Sequence, residues 1–264
     1  MVSVTLPRNV ATVRGARFIG AAVRRSAAIG VLLAVWEILP RLDVVDPTFL
    51  PPLSVVLKAW WGLAASGELA RHVEASMLRS MSGFGLAIVV AVPLGLLIGW
   101  YRPVATLLGP LLEVFRNTAA LALLPVFVLI LGLGETSKVA IILYGCSWPI
   151  LLNTISGVRT VDPLLIKAAR SLGLSAPAMF RKVVLPAAVP TIFTGIRLAG
   201  AYSILILIAA ELVGAKAGLG YLITYAQFNF EVPQMYAGIV TISAIGLVIN
   251  QILVHLERRH DRYR

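Results

Sequence analysis

Charged residues and cysteine are both scarce in this chain of 264 residues. Only 13% of its residues are Asp, Glu, Lys or Arg, whereas a soluble globular domain carries about 25%. Hydrophobic residues make up 59% of the chain, and the mean hydropathy is +0.90. A soluble core of this length cannot bury so much apolar surface, so the sequence predicts a protein that uses the bilayer as its solvent.

The single cysteine, Cys146, excludes an intrachain disulfide and a cysteine cluster for a metal. It lies in an apolar run, and we interpret it as a small buried packing residue. The three histidines are far apart in sequence and have no ligand spacing. The sequence also lacks a Gly-x-x-x-x-Gly-Lys-Ser/Thr phosphate loop and a nucleophile–base constellation, which argues against ATP binding of that kind and against a membrane enzyme.

Acidic residues are few, 12 against 23 Lys and Arg, which gives a net charge of +11. Nucleic-acid binding is the first alternative for so basic a protein. Here, however, the basic residues fall in short segments between apolar runs, which is the distribution of cytoplasmic loops in a membrane protein.

Six apolar runs approach the length of about 20 residues that a membrane-spanning helix needs. The first is short, but the chain runs on through Glu37, Pro40 and Arg41 without the small-residue cleavage site of a signal peptide, so we interpret it as a retained span. Only helices satisfy the backbone in lipid at this segment length, so the predicted fold is all-α. The predicted spans are 24–41, 82–101, 106–132, 138–158, 190–213 and 236–256.

The distribution of Lys and Arg predicts the orientation. With the N-terminus inside, fifteen of the 23 lie on the inner side, six on the outer side and two within spans. This asymmetry places both termini in the cytoplasm. The predicted organisation is a cytoplasmic segment at 1–23, a transmembrane domain at 24–256 and a cytoplasmic tail at 257–264.

Residues 42–81 contain prolines and are not predicted to span. Ser54 is a candidate cap for a short helix at 55–65, which carries the pair Trp60 and Trp61 and suits the outer headgroup layer. A second short helix from Glu68 is predicted to lead into the second span.

Small residues and prolines shape the predicted spans. Gly95 and Gly99 form a small-x-x-x-small pair that lets another helix approach closely. Pro93, Pro125 and Pro149 lie within spans, where each is expected to kink its helix. Packing is the favoured interpretation of all these residues over contact with a solute.

The loop at 160–186 is too polar to span and carries ordered helix signals. Asp162 is a good N-cap, Pro163 occupies the first helical position, and Gly173 is a left-handed cap, which predicts a helix at 163–172. A second helix at 176–185, capped by Ser175 and ended by Pro186, completes a helix–turn–helix elbow. One face of the first helix carries Leu164, Leu165, Ala168, Ala169 and Leu172. A helix this short needs packing, either on its own spans or on a partner.

The sequence of this elbow carries a family resemblance. Lys167-Ala-Ala-Arg-Ser-Leu-Gly173, followed by Val184-Leu-Pro186, resembles the Glu-Ala-Ala…Gly…Leu-Pro loop of permeases of binding-protein-dependent ABC importers. The chain from about 20 to 258 is similar to the branch that imports aliphatic sulfonates, taurine, nitrate or bicarbonate. Supporting stretches lie at 49–52, 123–125, 132–138, 149–154, 158–163 and 218–221.

The resemblance implies an all-α fold like that of type I ABC importer permeases and a division of labour among subunits. The elbow would be the coupling helix that contacts a cytoplasmic ATPase, and ATP and Mg would be bound by that partner, with no cofactor in this chain. Two copies of the permease, two ATP-binding subunits and a periplasmic or lipid-anchored binding protein would form the complex in the bacterial inner membrane. The residues expected to contribute to ATPase coupling are Asp162, Pro163, Leu164, Lys167, Ala168, Ala169, Arg170, Leu172, Gly173, Leu185 and Pro186.

The chain departs from the family pattern at two places. Lys167 stands where the family has glutamate, so a salt bridge built on that acid is absent or reversed. Asn117 to Ala120 follow Arg116 where prolines are expected, so the pore there is expected to have a different shape.

Charged residues within the predicted spans are candidates for the translocation path. Arg116 lies about 15 Å into the third span, and we weigh contact with an anionic solute equally against pairing with Glu113. Asn117 and Glu211 complete the candidate set, although interfacial solvation is the favoured interpretation of Glu211. Arg197 is expected to extend towards the inner surface.

A self-sufficient secondary transporter or channel is the alternative function. It would need no ATPase, and it would usually show two repeated halves with broken helices, a repeat that is not visible in the sequence.

Overall fold

A computed structural model describes residues 27–261 of the chain. Its described elements are α-helices with one 3₁₀ turn and one π turn. A first helix, α1, covers 27–41 within that range. The remaining elements are α2 (Leu53–Ala65), α3 (Glu68–Trp100), α4 (Arg102–Asn117), a 3₁₀ turn (Ala120–Leu123), α5 (Leu124–Leu131), α6 (Glu135–Arg159), α7 (Pro163–Ser171), α8 (Ala176–Met179), a π turn (Phe180–Val184), α9 (Leu185–Glu211), α10 (Leu219–Phe228) and α11 (Val232–Asp261).

Four helical stretches are long and apolar enough to cross a membrane: Glu68–Trp100, Glu135–Arg159, Ala176–Leu212 and Val232–His255. They confirm the second, fourth, fifth and sixth predicted spans. The first predicted span is present only as the described part of α1. Residues 1–26 and 262–264, which include the predicted N-terminal segment and the last three residues of the predicted tail, lie outside the described residues.

The third predicted span, 106–132, is wrong as a continuous helix. It is a bent pair, Arg102–Asn117 and Ala120–Leu131, whose axes differ by 86°. Thr118 and Ala119 have extended backbones at the break. Pro125, expected to kink a helix, lies in the first turn of α5, where its missing N–H leaves no helical bond unmade.

The second span is longer than predicted because the short helix from Glu68 continues into it without a break. The resulting α3 has 33 residues, about 50 Å at 1.5 Å per residue, and so exceeds a bilayer core of about 30 Å. Its first turns therefore extend past the hydrocarbon.

Helix α2 packs on this bundle. Val56 is buried, and the Trp60 indole donates to the Thr241 hydroxyl of α11 at 3.0 Å. Trp61 is exposed. Ser54 does not cap α2 as predicted, because the helix begins at Leu53 and Ser54 lies in its first turn. The Ser54 N–H and hydroxyl instead donate to the Glu37 carboxylate of α1, each at 2.9 Å.

The core lies along α6, which packs between α3 and α9. Glycines allow the close approach. A Cβ added at Gly95 would lie 2.7 Å from Thr154 Cβ of α6, and one at Gly99 would lie 2.8 Å from Val158 Cβ. These contacts confirm the predicted packing role of this pair. Cys146 is fully buried in the same core and donates to the Ala199 carbonyl at 3.4 Å, which confirms its packing role.

We predict that Gly95→Val lowers stability, because the added methyl groups overlap Thr154 across the α3–α6 contact. Overpacking of this kind costs about 1–3 kcal/mol. The measurement is the thermal unfolding midpoint of the purified protein in detergent.

The matched control is Gly85→Val, at a glycine of the same helix where an added Cβ meets no atom within 4 Å. Both variants carry the same β-branched penalty, so equal midpoints would contradict the packing argument.

Candidate functional site: an elbow, a broken helix and a buried ion cluster

The elbow begins with α7, and its ends are fixed as the sequence predicts. Asp162 Oδ1 accepts from the Leu164 N–H at 2.8 Å, and Pro163 occupies the first turn. At the other end Gly173 has φ +73°, with its N–H bonded to the Arg170 carbonyl and the Leu174 N–H bonded to the Ala169 carbonyl. This pair of bonds is a Schellman cap, which needs a left-handed residue and so explains the glycine.

The second arm of the elbow differs from the prediction. The expected cap bond from Ser175 is not made, and Pro186 does not end a helix. Instead α8 passes through the π turn into α9, and the Leu185 N–H bonds to the Phe180 carbonyl, five residues back. Pro186 is tolerated because it falls in the first turn after this change of hydrogen-bond register.

The elbow packs inward through one set of side chains. Ala169, Val161, Met179 and Val184 are buried, and Val161 and Val184 belong to a small apolar cluster with the end of α6 and the start of α9. Phe180 meets Trp100 of α3 edge to face, with ring centroids 5.2 Å apart. The elbow is therefore packed against the helical bundle.

A second set of elbow side chains faces outward. Leu164 is 69% exposed, Leu165 50% and Leu172 79%. Lys167, Ala168 and Arg170 are also exposed. The predicted face thus divides, with Ala169 towards the bundle and the three leucines away from it. Leu185 is half-buried beside α3, and Pro186 is exposed.

The broken helix places Arg116 in the last turn of α4, directly before the 86° bend. Arg116 Nη2 lies 3.6 Å from Glu113 Oε1, and its side chain is 45% exposed. It also lines a cavity of about 220 Å³ together with Glu113 and Arg159. The structure therefore shows the pairing with Glu113 beside a cavity, and contact of Arg116 with an anionic solute stays a prediction.

A side-chain hydrogen bond joins the end of α4 to α6. The Tyr144 hydroxyl donates to the Phe115 carbonyl at 2.8 Å, and the same carbonyl accepts from the Thr118 N–H at 3.1 Å. Asn117 donates its side-chain N–H to the Glu113 carbonyl of its own helix at 2.8 Å. Arg197 pairs with Glu257 of α11 at 2.9 Å instead of extending alone to the surface.

Glu211 is buried, contrary to the favoured interpretation of interfacial solvation. Its side chain has no exposed surface and pairs with Arg79 Nη1 at 2.7 Å. The Ser76 hydroxyl lies 2.8 Å from Glu211 Oε1, and the Gly220 N–H donates to Oε2 at 2.8 Å. These partners enclose the carboxylate.

Arg79 is the centre of this buried ion cluster. Its guanidinium also contacts Glu135 at the start of α6 through two nitrogens, and it donates to the Ala217 carbonyl at 2.6 Å. The Gly218 N–H donates to His72 Nδ1 at 3.0 Å, which holds the same loop against α3. One cation of α3 thus contacts both the start of α6 and the end of α9.

Sequence reasoning missed Arg79, Ser76, His72 and Glu135. The available signal was an arginine beside apolar residues at the start of a span, since such a charge requires a partner. The sequence gives no means of choosing that partner among the acidic residues.

The structure is that of an all-α protein with several helices long and apolar enough to cross a membrane. Residues 91–262 match the family of binding-protein-dependent transport system inner membrane components. The chain belongs to this family, and it is therefore a multi-pass inner-membrane permease subunit of an ABC importer, not an enzyme, with ATP hydrolysis in a separate chain.

The chain is 34% identical to the taurine transport system permease protein TauC of Escherichia coli over 236 residues, which covers 88% of this chain and 86% of that protein. It is 31% identical to the nitrate import permease protein NrtB of Synechocystis, with 89% and 88% covered. These similarities agree with the branch that the sequence resembles.

A structure of the MetNI methionine ABC transporter in an inward-facing conformation matches with a TM-score of 0.62 at 20% identity, covering 73% of this chain and 95% of that one. This match supports the type I importer fold.

We predict that Arg79→Gln and Glu211→Gln each destabilise the protein strongly, because each leaves a buried charge without its main partner. Breaking a buried ion pair costs about 3–5 kcal/mol. The check is the thermal midpoint in detergent, with Arg71→Gln, an exposed arginine of the same helix, as the control.

The double variant Arg79→Gln/Glu211→Gln should lose less stability than the two single losses added together, because both members of the pair are then neutral. Strict additivity would show that the two side chains do not stabilise each other.

Proposed function

We propose that this permease moves a small anionic solute and that its elbow is the contact for the cytoplasmic ATPase. The contact with the ATPase is supported by the two sets of side chains on the elbow. One set packs against the bundle, whereas Leu164, Leu165 and Leu172 are exposed. Exposed leucines on an anchored helix suit an apolar groove of a partner protein.

The proposed complex contains two copies of this chain, two ATP-binding subunits on the cytoplasmic face and a solute-binding protein on the outer face. The orientation places both termini and the elbow in the cytoplasm and rests on the distribution of Lys and Arg. A paired arrangement is supported by α4, which contains no buried residue in the single chain and exposes Leu107, Leu111 and Val114.

The proposed solutes are an aliphatic sulfonate, taurine, nitrate or bicarbonate. TauC and NrtB are named for taurine and nitrate, and each of these carries an anionic group. Arg116 offers the matching cation, since it lines a cavity at the break of α4 and keeps part of its guanidinium exposed beside Glu113. Guanidinium forms strong, directed hydrogen bonds with oxyanions.

We predict that Leu164→Asp combined with Leu165→Asp lowers recovery of the ATPase with the purified permease by about tenfold or more, because a carboxylate is costly in an apolar contact. The measurement is co-purification after co-expression with the ATPase. Leu42→Asp, on an exposed leucine of the predicted outer side, should leave recovery unchanged.

A labelling experiment tests on which side of the membrane the elbow lies. Cys146 is buried, so Ser171→Cys adds an accessible thiol on the elbow. An impermeant maleimide should label it only after the cells are opened. Labelling in intact cells would place the elbow outside and overturn the proposal.

We predict that Arg116→Gln slows solute uptake by about ten- to hundredfold, the effect of losing one charged hydrogen bond. Arg116→Lys should retain part of the rate. The measurement is uptake of taurine or nitrate by vesicles that contain the complete importer, and Arg102→Gln at the other end of α4 is the control.

The variant Arg116→Gln/Glu113→Gln separates the two roles of Arg116. If the arginine only neutralises Glu113, the double variant should transport normally. Continued loss of uptake supports contact with the solute, and unchanged uptake by Arg116→Gln alone removes Arg116 from the path.

A further inference from the structure

A large cavity lies between the inner end of α3 and the second arm of the elbow. Its volume is about 670 Å³, within the range of about 300–1,000 Å³ of small-molecule sites. Of the described residues that line it, only Arg181 is charged, and most of the others are apolar. They are Pro93, Leu96, Leu97, Trp100, Tyr101, Ala176, Pro177, Phe180, Arg181 and Leu185.

The wall formed by α3 runs from the bilayer towards its inner surface. From Pro93 to Trp100 it extends about 10 Å at 1.5 Å per residue. Trp100 and Tyr101 stand at the helix end, where aromatic residues mark the headgroup layer. In the orientation proposed above, the apolar part of the cavity lies at the depth of acyl chains, and the exposed Arg181 lies on the cytoplasmic side.

We propose that this cavity binds an anionic phospholipid from the inner leaflet, with an acyl chain along Pro93, Leu96 and Leu97 and the phosphate at the Arg181 guanidinium. Charge complementarity selects this occupant. A zwitterionic lipid would fill the apolar wall equally well, but it would bring no net negative charge to Arg181. Basic pockets between helices on the cytoplasmic side commonly bind anionic headgroups, and arginine matches phosphate geometry.

The bound lipid would join two parts of the molecule that the coupling step must move together. One wall belongs to α3, and the other belongs to α8 and the π turn through Pro177, Phe180 and Arg181. The edge-to-face contact of Trp100 with Phe180 already joins α3 to the π turn at this cavity. The lipid therefore extends this contact and positions the second arm of the elbow relative to the bundle.

Quenching of Trp100 by brominated lipid tests the proposal. The full-length chain is reconstituted in phosphatidylcholine vesicles that carry increasing fractions of brominated phosphatidylglycerol or, separately, brominated phosphatidylcholine. The signal of Trp100 is the difference between the unaltered protein and Trp100→Phe. We expect half-maximal quenching at an about fivefold lower fraction of phosphatidylglycerol, the effect of one basic residue near an anionic headgroup.

Two neighbouring residues supply the matched variants. Arg181→Gln should remove the preference for phosphatidylglycerol. Lys182→Gln makes the same change of charge at the next position, which is exposed but does not line the cavity, and it should keep the preference.

Equal quenching by both lipids, a preference that survives Arg181→Gln, or an equal loss in Lys182→Gln would overturn the proposal. Absence of quenching by either lipid would also overturn it, because protein would then cover the cavity. If Trp100→Phe fails to fold, native mass spectrometry of phosphatidylglycerol bound to the unaltered, Arg181→Gln and Lys182→Gln proteins gives the same comparison. The test uses neither ATPase nor solute, so its failure leaves the proposed function standing.

Discussion

The ion cluster around Arg79 is the constraint on which one end of the bundle depends. A guanidinium that is almost completely buried must be paired, and here its partners come from three different elements: Glu135 starts α6, Glu211 ends α9, and the Ala217 carbonyl belongs to the loop before α10. Because the buried Arg79 would lose a partner if any of these elements moved away, they are held together against α3.

The break between α4 and α5 is a second consequence of local chemistry. A straight helix over 106–132 would carry Arg116 within lipid, at a cost of about 2.5–3.5 kcal/mol on insertion scales. By ending α4 at Asn117, the chain places the arginine in a last helical turn, where a cation also interacts favourably with the helix dipole. Tyr144 adds a hydrogen bond from α6 to the Phe115 carbonyl of the same turn. The bend therefore leaves Arg116 partly exposed beside a cavity.

Local signals explain which features could be predicted from the sequence. The spans follow from hydropathy, and the ends of α7 follow from Asp162, Pro163 and Gly173, whose effects act within a few residues. The break at Thr118 has neither glycine nor proline at the hinge, so no local signal marked it. The prediction that Pro186 ends a helix was wrong, because the π turn places this proline in the first turn of α9. The pairing of Arg79 with Glu211 joins residues 132 positions apart, and only the folded chain brings them together.

The absence of a flexible joint between the elbow and α9 has a mechanical consequence. Residues Ala176–Leu212 form one helical stretch of 37 residues, about 55 Å at 1.5 Å per residue, which connects the second arm of the elbow directly to the loop beside Glu211. The left-handed turn at Gly173 and the π turn at 180–184 are the irregular points near its first residues. In the coupling proposed above, a force on the exposed leucines of α7 would reach α9 through the turn at Gly173 and this one helical stretch.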